Sequence, residues 1–231
     1  VIYAANYTAN RIEVISIGTG AIQTSWPVPA QPSSVSLAVD GRFLAVTHAS
    51  TLPGAFNGIT IFDLALNRQQ SIATSQPALT VCFGIYNLAL VATTDSFLML
   101  NPYAGTGYPL VTELPIVMEQ MPVPAGTMPL NITWAASGAS ADSSVVYALV
   151  DSEVPSKDKS TSYIARLNLA NPSQIELQHL SAAPPLGPRA VSVDEHGLNV
   201  MAGWGLLRWQ PRFLVKAQLP NVDGKYQLGS H

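Results

Sequence analysis

The chain offers few side chains that could carry out chemistry. Its histidines lie far apart, and no His-Glu-x-x-His motif pairs two of them as metal ligands. We single out His48, because it begins a long loop; the alternative is that it only anchors that loop. A Gly-x-Ser-x-Gly nucleophile elbow is absent, and the single cysteine, Cys82, lies within an apolar run. The sequence therefore predicts no catalytic residue, no metal site and no cofactor.

Other polar and aromatic residues fall where a ligand could be held. Asn131 and Arg189 each open a strand that would face a central channel, and an arginine there could hold an anion. Trp204 could stack on a sugar or pack inside the fold, and packing is the favoured reading. Long loops contribute further polar groups. The candidate binding residues are His48, Asn57, Glu119, Asn131, Asp151, Arg189 and Trp204.

Composition limits the class of molecule that could be bound. The 231 residues include 11 Lys and Arg against 14 Asp and Glu, which gives a net charge of -3. Such a chain has no polybasic surface, so nucleic acid is not an expected partner. No apolar stretch reaches the roughly 20 residues that cross a bilayer, so we expect no membrane insertion. A low lysine content with abundant Ser, Thr, Pro and Ala is typical of an exported protein, in the periplasm, at the cell surface or outside the cell.

A repeat of short strands must position these residues. Short β-branched and aromatic runs alternate with Gly, Pro, Asn and Asp, which is the pattern of strands and turns, and no long helical periodicity is present. A four-strand unit begins at Pro32 and recurs at Pro77, Pro129 and Pro188, at spacings of 45, 52 and 59 residues. Because propeller blades hold four strands in about 40–50 residues, the sequence predicts an all-β β-propeller of four-stranded blades.

The two ends of the chain match different parts of this unit. Residues 1–28 supply the second, third and fourth strands, and residues 224–231 supply a first strand. Such a composite blade would close the ring and remove exposed sheet edges. We predict one domain over 1–231 with five blades, at 224–231 plus 1–28, 32–75, 76–115, 128–181 and 187–220. The alternative is a fragment of a six- to eight-bladed ring.

Three segments carry a resemblance to a known repeat. Residues 1–7 (VIYAANY), 39–47 (VDGRFLAVT) and 59–63 (ITIFD) resemble the strand, Asp-Gly turn and Val-x-Val-Ile-Asp strand of the YVTN family of β-propeller repeats. The resemblance implies a propeller fold and a surface or exported protein. Lactonase-like rings are similar to this family. The family has no shared catalytic motif, so no catalytic residue can be carried over.

The predicted loops divide between two faces of the propeller. The loop face carries the long segments 48–57, 115–128, 151–162 and 182–187, whereas the turn face carries tight turns such as Asp40-Gly41. The methionine-rich segment 115–128 suits contact with another protein or could seal the channel. We therefore expect a non-catalytic binding or scaffolding module whose partner is a protein or a cell-surface component. The alternatives are a lactonase-like or other hydrolase with its site at the channel, and a structural subunit of a surface lattice or filament.

Overall fold

The structure is a computed structural model that describes residues 1–102, 116–125, 131–153, 160–180, 190–203, 205–210 and 212–218. In these residues the chain forms five antiparallel sheets. Sheet 1 contains β1 (Ile2–Asn6), β2 (Arg11–Ile15) and β3 (Ile22–Pro27). Sheet 2 contains β4 (Pro32–Leu37), β5 (Phe43–His48), β6 (Gly58–Asp63) and β7 (Arg68–Ala73). Sheet 3 contains β8 (Ala78–Phe83), β9 (Ala89–Thr93), β10 (Phe97–Asn101) and β11 (Val117–Gln120), with a short 3-10 turn at Ile85–Asn87. Sheet 4 contains β12 (Ile132–Ala139), β13 (Val145–Glu153), β14 (Ser160–Asn168) and β15 (Glu176–His179). Sheet 5 contains β16 (Val191–Val193), β17 (Asn199–Ala202), β18 (Gly205–Trp209) and β19 (Phe213–Gln218).

The sheets are the blades of a β-propeller. Within each sheet the strands pair in chain order, as expected when tight turns join neighbours. The inner strands of successive four-stranded sheets, β4, β8, β12 and β16, lie side by side, and β1 lies against β4. The predicted all-β propeller of repeated antiparallel sheets is confirmed.

The hydrophobic core lies between adjacent blades. Separate apolar clusters fill the spaces between successive sheets, and the second strands β5, β9 and β13 are buried along almost their whole length. Such a strand has a neighbouring blade on both faces, so its sequence is continuously apolar rather than alternating. Each large aliphatic side chain buried in this way contributes about 1.5–3 kcal/mol.

Sheet 1 differs from the other four in having three strands. Its β1 corresponds to the second strand of the repeat, yet it is only half-buried, and Ile2 is 51% exposed. No strand among the described residues pairs with the inner edge of β1. The predicted partner, residues 224–231, lies outside the described residues, so closure of this blade stays a prediction. Slow hydrogen exchange of the inner-edge β1 amides would support it, and exchange at the rate of free peptide would contradict it.

Two predicted loops are wrong in extent. Strand β11 occupies part of the segment 115–128, because Ile116 and Met118 pack onto the core between sheets 2 and 3. Strands β13 and β14 extend into the segment 151–162, and they pair as far as Glu153 and Ser160. The polar residues in these extensions of β13 and β14 have little intrinsic preference for strands, and pairing with the neighbouring strand overrides that preference.

The turn face is held together by hydrogen bonds between blades. Asn87 Nδ2 donates to Asp40 Oδ2 at 2.7 Å, which joins the turns of sheets 2 and 3. The amide of Ile85 donates to the carbonyl of Ser143 at 2.7 Å, and the amide of Asp142 donates to Glu195 at 3.2 Å. These bonds connect four consecutive blades. The turn face is therefore a fixed platform behind the loops of the opposite face.

Candidate functional site

A cleft of about 490 Å³ opens on the loop face between sheets 1 and 2. It is built by the turn between β1 and β2, the connection between β3 and β4, and the loop between β5 and β6. We call it the loop-face cleft. Its wall consists of Tyr7, Thr8, Asn10, Pro29, Ala30, Gln31, Ser50, Leu52, Gly54, Ala55 and Phe56. Its volume lies within the roughly 300–1,000 Å³ usual for small-molecule sites.

His48 joins the segments that build this cleft. Its ring is fully buried, with Nδ1 2.6 Å from the carbonyl of Ala30 and Nε2 2.8 Å from Thr60 Oγ1. Because a carbonyl can only accept, Nδ1 carries the proton and Nε2 accepts from the Thr60 hydroxyl. The ring also meets Phe56 edge-on, with centroids 5.3 Å apart. His48 therefore anchors the loop and the cleft wall, the alternative raised by its position in the sequence.

The environment of His48 keeps its imidazole neutral. Burial lowers the pKa of His48 below its ordinary value, although the hydrogen bond to Ala30 acts in the opposite direction. A histidine with a lowered native pKa takes up its proton more readily in the unfolded chain. The free energy of unfolding therefore falls as the pH drops below 6.5, and it stops falling below the native pKa.

This pH dependence gives a test of the anchoring role. We expect His48→Gln to destabilise the protein by about 2 kcal/mol at pH 8, since it leaves buried partners unpaired. The difference from the wild type should be smaller at pH 5.5, because only the wild type must keep a buried imidazole neutral. Urea unfolding at both pH values measures it, with exposed His179 replaced by Gln as the control. An equal difference at the two pH values would contradict the assignment.

The loop that closes the cleft is braced internally. The Asn57 side-chain Oδ1 accepts a hydrogen bond from the amide of Ser50 at 2.8 Å. The Oγ of Ser50 accepts from the amide of Leu52 at 3.2 Å, and the amide of Ala55 donates to the carbonyl of Leu52. Asn57, a predicted site residue, thus fixes the shape of the loop next to the cleft and does not line it.

Gln31 brings an unpaired polar group to the cleft wall. Its Oε1 is the one buried side-chain nitrogen or oxygen in the described part of the chain that has no hydrogen-bond partner. An unpaired buried acceptor costs about 1–3 kcal/mol, so native proteins rarely retain one without a reason. Gln31 lines the cleft, and its buried Oε1 would be satisfied by a donor in the cleft if the carboxamide turned toward it.

The remaining predicted site residues lie elsewhere. Glu119 is exposed on β11, opposite Met99. Asn131 precedes β12 with a φ of 55°, and its carbonyl accepts from the amide of Glu153 at 3.2 Å. Asp151 is buried in β13, and its Oδ1 accepts from Ser162 Oγ at 2.9 Å. None of these three lines the loop-face cleft, and Arg189 and Trp204 lie outside the described residues.

The inner strands present hydroxyl groups rather than charges. Ser34, Thr80 and Ser137 form a chain across three blades, with oxygen separations of 3.4 and 2.7 Å. Strands β4, β8, β12 and β16 contain no charged residue. Burial raises the pKa of the Cys82 thiol to about 12, so it is not a nucleophile at neutral pH. Among the described residues, no three His, Cys, Asp or Glu side chains are grouped to hold a metal ion.

Sequence reasoning missed most of the cleft wall. Tyr7, Gln31 and Ser50 stand about 20 residues apart, and only packing of sheet 1 against sheet 2 brings them together. One available signal is topological. Tyr7, Gln31 and Ser50 occupy three connecting segments. When the strands of the repeat are numbered, each of these segments joins strands whose connections lie on the loop face.

Comparisons with solved structures support the fold. The chain is similar to Kuenenia stuttgartiensis hydrazine synthase, with 14% identity and a TM-score of 0.63, over 89% of this chain and 60% of that one. The Swd1 β-propeller domain of Myceliophteria thermophila gives 11% identity and a TM-score of 0.59, over 95% and 70% of the two chains. A Bacteroides uniformis protein designated a candidate 6-phosphogluconolactonase has 12% identity and a TM-score of 0.57, over 94% of this chain and 66% of that one. Likeness at this level of identity shows the propeller fold alone.

No protein-family model and no curated protein sequence matches the chain. The resemblance to YVTN repeats is therefore supported only as far as the propeller fold. The chain spans 60–70% of the length of these three structural neighbours. The part of the chain that the structure describes contains no helix long and apolar enough to cross a membrane.

Proposed function

We propose that this propeller is a non-catalytic binding module that receives a ligand in the loop-face cleft. The observation that carries the proposal is the cleft itself, an open cavity lined by Gln31, whose Oε1 is buried and unpaired just behind the wall. His48 connects the Ala30 segment to the end of β5, and Asn57 braces the loop that follows. A preformed site loses little conformational entropy on binding, which favours affinity.

The groups around the cleft support binding rather than catalysis. Among the described residues, no Asp, Glu, Lys, Arg or Cys lines it, so this part of the wall provides no acid, base or thiolate for bond cleavage. Both nitrogens of His48, the nearby imidazole, are occupied by structural hydrogen bonds. The hydroxyl groups of Thr8 and Ser50 have no described base beside them that could activate them.

We further propose an exported location, in the periplasm or at the cell surface, with a cell-surface component as the bound partner. Only 11% of the residues are charged, and the net charge is -3. A neutral site on a weakly charged propeller suits a partner recognised by shape and hydrogen bonding. Fractionation of the source cells with an antibody to the chain tests the location, and a purely cytoplasmic signal would contradict it.

A ligand screen tests the binding proposal. We expect some compounds of a mixed library to raise the melting temperature of the wild type and to lose this effect in Ala55→Trp, which fills the cleft. The matched control is Ala141→Trp, at an exposed alanine on the turn face. Hits that act equally on both variants, or no hits at all, would contradict a binding site in the loop-face cleft.

A hydrolase of the lactonase kind is the second candidate, and the likeness to the candidate 6-phosphogluconolactonase favours it. Its site would lie at the channel, where the described inner strands provide hydroxyl groups only. Hydrolysis of 6-phosphogluconolactone, measured by acid release with and without divalent cations, separates it from the binding module. Turnover that survives Ala55→Trp would favour this candidate.

A structural subunit is the third candidate, and the turn face favours it. Large apolar side chains at the tips of its turns are exposed, namely Ile17, Val39, Leu66, Tyr86 and Leu198. Exposed apolar side chains on one face can form a contact surface between proteins. Light scattering over a wide range of concentrations tests it. A strictly monomeric protein would exclude a lattice held by this face.

A further inference from the structure

We propose that the ligand of the loop-face cleft is a neutral saccharide, bound with one sugar ring against Tyr7 and a hydroxyl group on Gln31. This inference rests on the proposed binding function and names the chemical class of its ligand. Three properties of the cleft point to it: the absence of charge in the wall, exposed aromatic surface, and a mixture of hydroxyl and amide groups.

The neutral side chains of the described wall disfavour recognition of an ionic ligand. The lining residues that carry polar side chains are Tyr7, Thr8, Asn10, Gln31 and Ser50, and all of them are neutral at physiological pH. A phosphate or carboxylate ligand would be desolvated in the cleft without an opposite charge to offset the cost. A neutral ligand incurs no such penalty.

Aromatic rings give the cleft flat apolar surface. Tyr7 lines the cleft and is 50% exposed, so part of its ring is accessible to a ligand. Phe56, in the loop between β5 and β6, also lines the cleft and is held by the edge-on contact with His48. The C–H face of a pyranose ring packs on such aromatic surface, while its hydroxyl groups stay free for hydrogen bonding.

The polar groups of the wall match the hydroxyl groups of a sugar. A sugar hydroxyl both donates and accepts, and the side chains of Thr8, Asn10 and Ser50 can also do both. The Gln31 carboxamide turns about a soft terminal torsion, so its unpaired oxygen can swing toward a donor in the cleft. Binding would then remove the cost of the unsatisfied acceptor, and this gain is specific to a ligand with a donor.

The same wall argues against a peptide bound by its main chain. Peptide recognition of that kind requires an open strand edge. The cleft is lined by turns and a loop whose backbone groups bond internally, for example the amide of Ala9 to Asn6 Oδ1 and the amide of Val28 to the carbonyl of Asn10. The site therefore provides side-chain groups and aromatic rings for contact, and these suit the recognition of a small rigid ligand by its shape.

Titration calorimetry with neutral di- and trisaccharides of glucose, galactose, mannose and N-acetylglucosamine tests the inference, with the corresponding uronic acids as charged comparators. We expect at least one neutral saccharide to bind and the uronic acids to bind more weakly. Tyr7→Ala and Gln31→Leu should each weaken binding about tenfold. The matched controls, Tyr86→Ala and Gln23→Leu, replace exposed residues away from the cleft and should leave the affinity unchanged.

Stability separates a binding role of Gln31 from a structural one. Gln31→Leu removes an unsatisfied polar group. It should therefore leave the melting temperature of the free protein equal or higher, while it weakens the binding of the saccharide. Saccharide binding that survives Tyr7→Ala and Gln31→Leu would overturn the inference. A neutral ligand of another class that is blocked by Ala55→Trp would also overturn it and leave the proposed function standing. A cleft that binds nothing would contradict both.

Discussion

Gly58→Ala is expected to lower the free energy of unfolding by about 3–5 kcal/mol, the largest single-residue effect that we predict. A Cβ atom at this position would lie 2.1 Å from the carbonyl oxygen of Ile72 and 3.0 Å from the Cα of Ala73. Its φ of 156° is also one that side-chain-bearing residues rarely adopt. Gly58 begins strand β6 and pairs with both His48 and Ala73, so the Ile72 carbonyl can move away only at the cost of this strand pairing.

Two other glycines separate the causes of this loss. Gly41 has a φ of 73° and open space around its Cα, so Gly41→Ala adds backbone strain alone and should cost about 1–2 kcal/mol. Gly18 has open space around its Cα and no positive φ, so Gly18→Ala should be close to neutral. Urea unfolding followed by tryptophan fluorescence gives the three values. Losses of equal size would show that contact with Ile72 does not determine the role of Gly58.

Arg42→Met is expected to destabilise the protein by about 2–3 kcal/mol, the second large effect. Arg42 holds the fully buried carboxylate of Asp63 at 2.7 Å, and the amides of Ala65 and Leu66 also donate to that carboxylate at 3.1 Å. Removing the guanidinium leaves a buried negative charge with only part of its hydrogen bonds, which typically costs 3–5 kcal/mol. The Arg42 side chain is 21% exposed, so we expect a smaller loss.

The pKa of Asp63 gives this prediction a pH dependence. Burial raises that pKa, but the hydrogen bonds from Arg42 and the turn amides outweigh burial and hold the pKa below 3.8. The stabilisation by this carboxylate is therefore present above pH 3.8 and is lost as the pH falls through the lowered native value. The difference between the wild type and Arg42→Met should shrink over that acid range.

A surface ion pair provides the control. Arg11 and Glu13 approach to 2.7 Å, but the Arg11 side chain is 42% exposed and water screens the pair. Arg11→Met should change the stability little at any pH. If Arg42→Met were no more harmful than Arg11→Met, the buried pair would not be what stabilises the turn between β6 and β7.

The Asp63 pair also explains why the sequence indicates the fold better than the function. Arg42 follows the Asp-Gly turn, and Asp63 ends the segment ITIFD, so both lie in the segments that resemble YVTN repeats. The structure shows that these two residues join turns of one blade. A repeat signature composed of structural contacts predicts a propeller and carries no information about a ligand.

Local chemistry made most of the strands predictable from the sequence. Asn67 and Asn87 stand in turns with positive φ values, which asparagine tolerates, and the Asp40-Gly41 turn joins β4 to β5 as predicted. Strand β11 and the ends of β13 and β14 were not predictable, because pairing with distant segments determines them. The same reason applies to the loop-face cleft, since His48 indicated a loop on that face but Gln31 reaches the cleft only when two blades pack.

The most direct test of the loop-face cleft as the ligand site is amide chemical-shift mapping by NMR with the tightest ligand from the screen. We predict that the shifted amides cluster at Tyr7, Gln31, Ser50 and Phe56, and that those of Val39 and Tyr86 on the turn face stay unchanged. Shifts concentrated on the turn face, or along the inner strands β4, β8 and β12, would contradict this placement of the site.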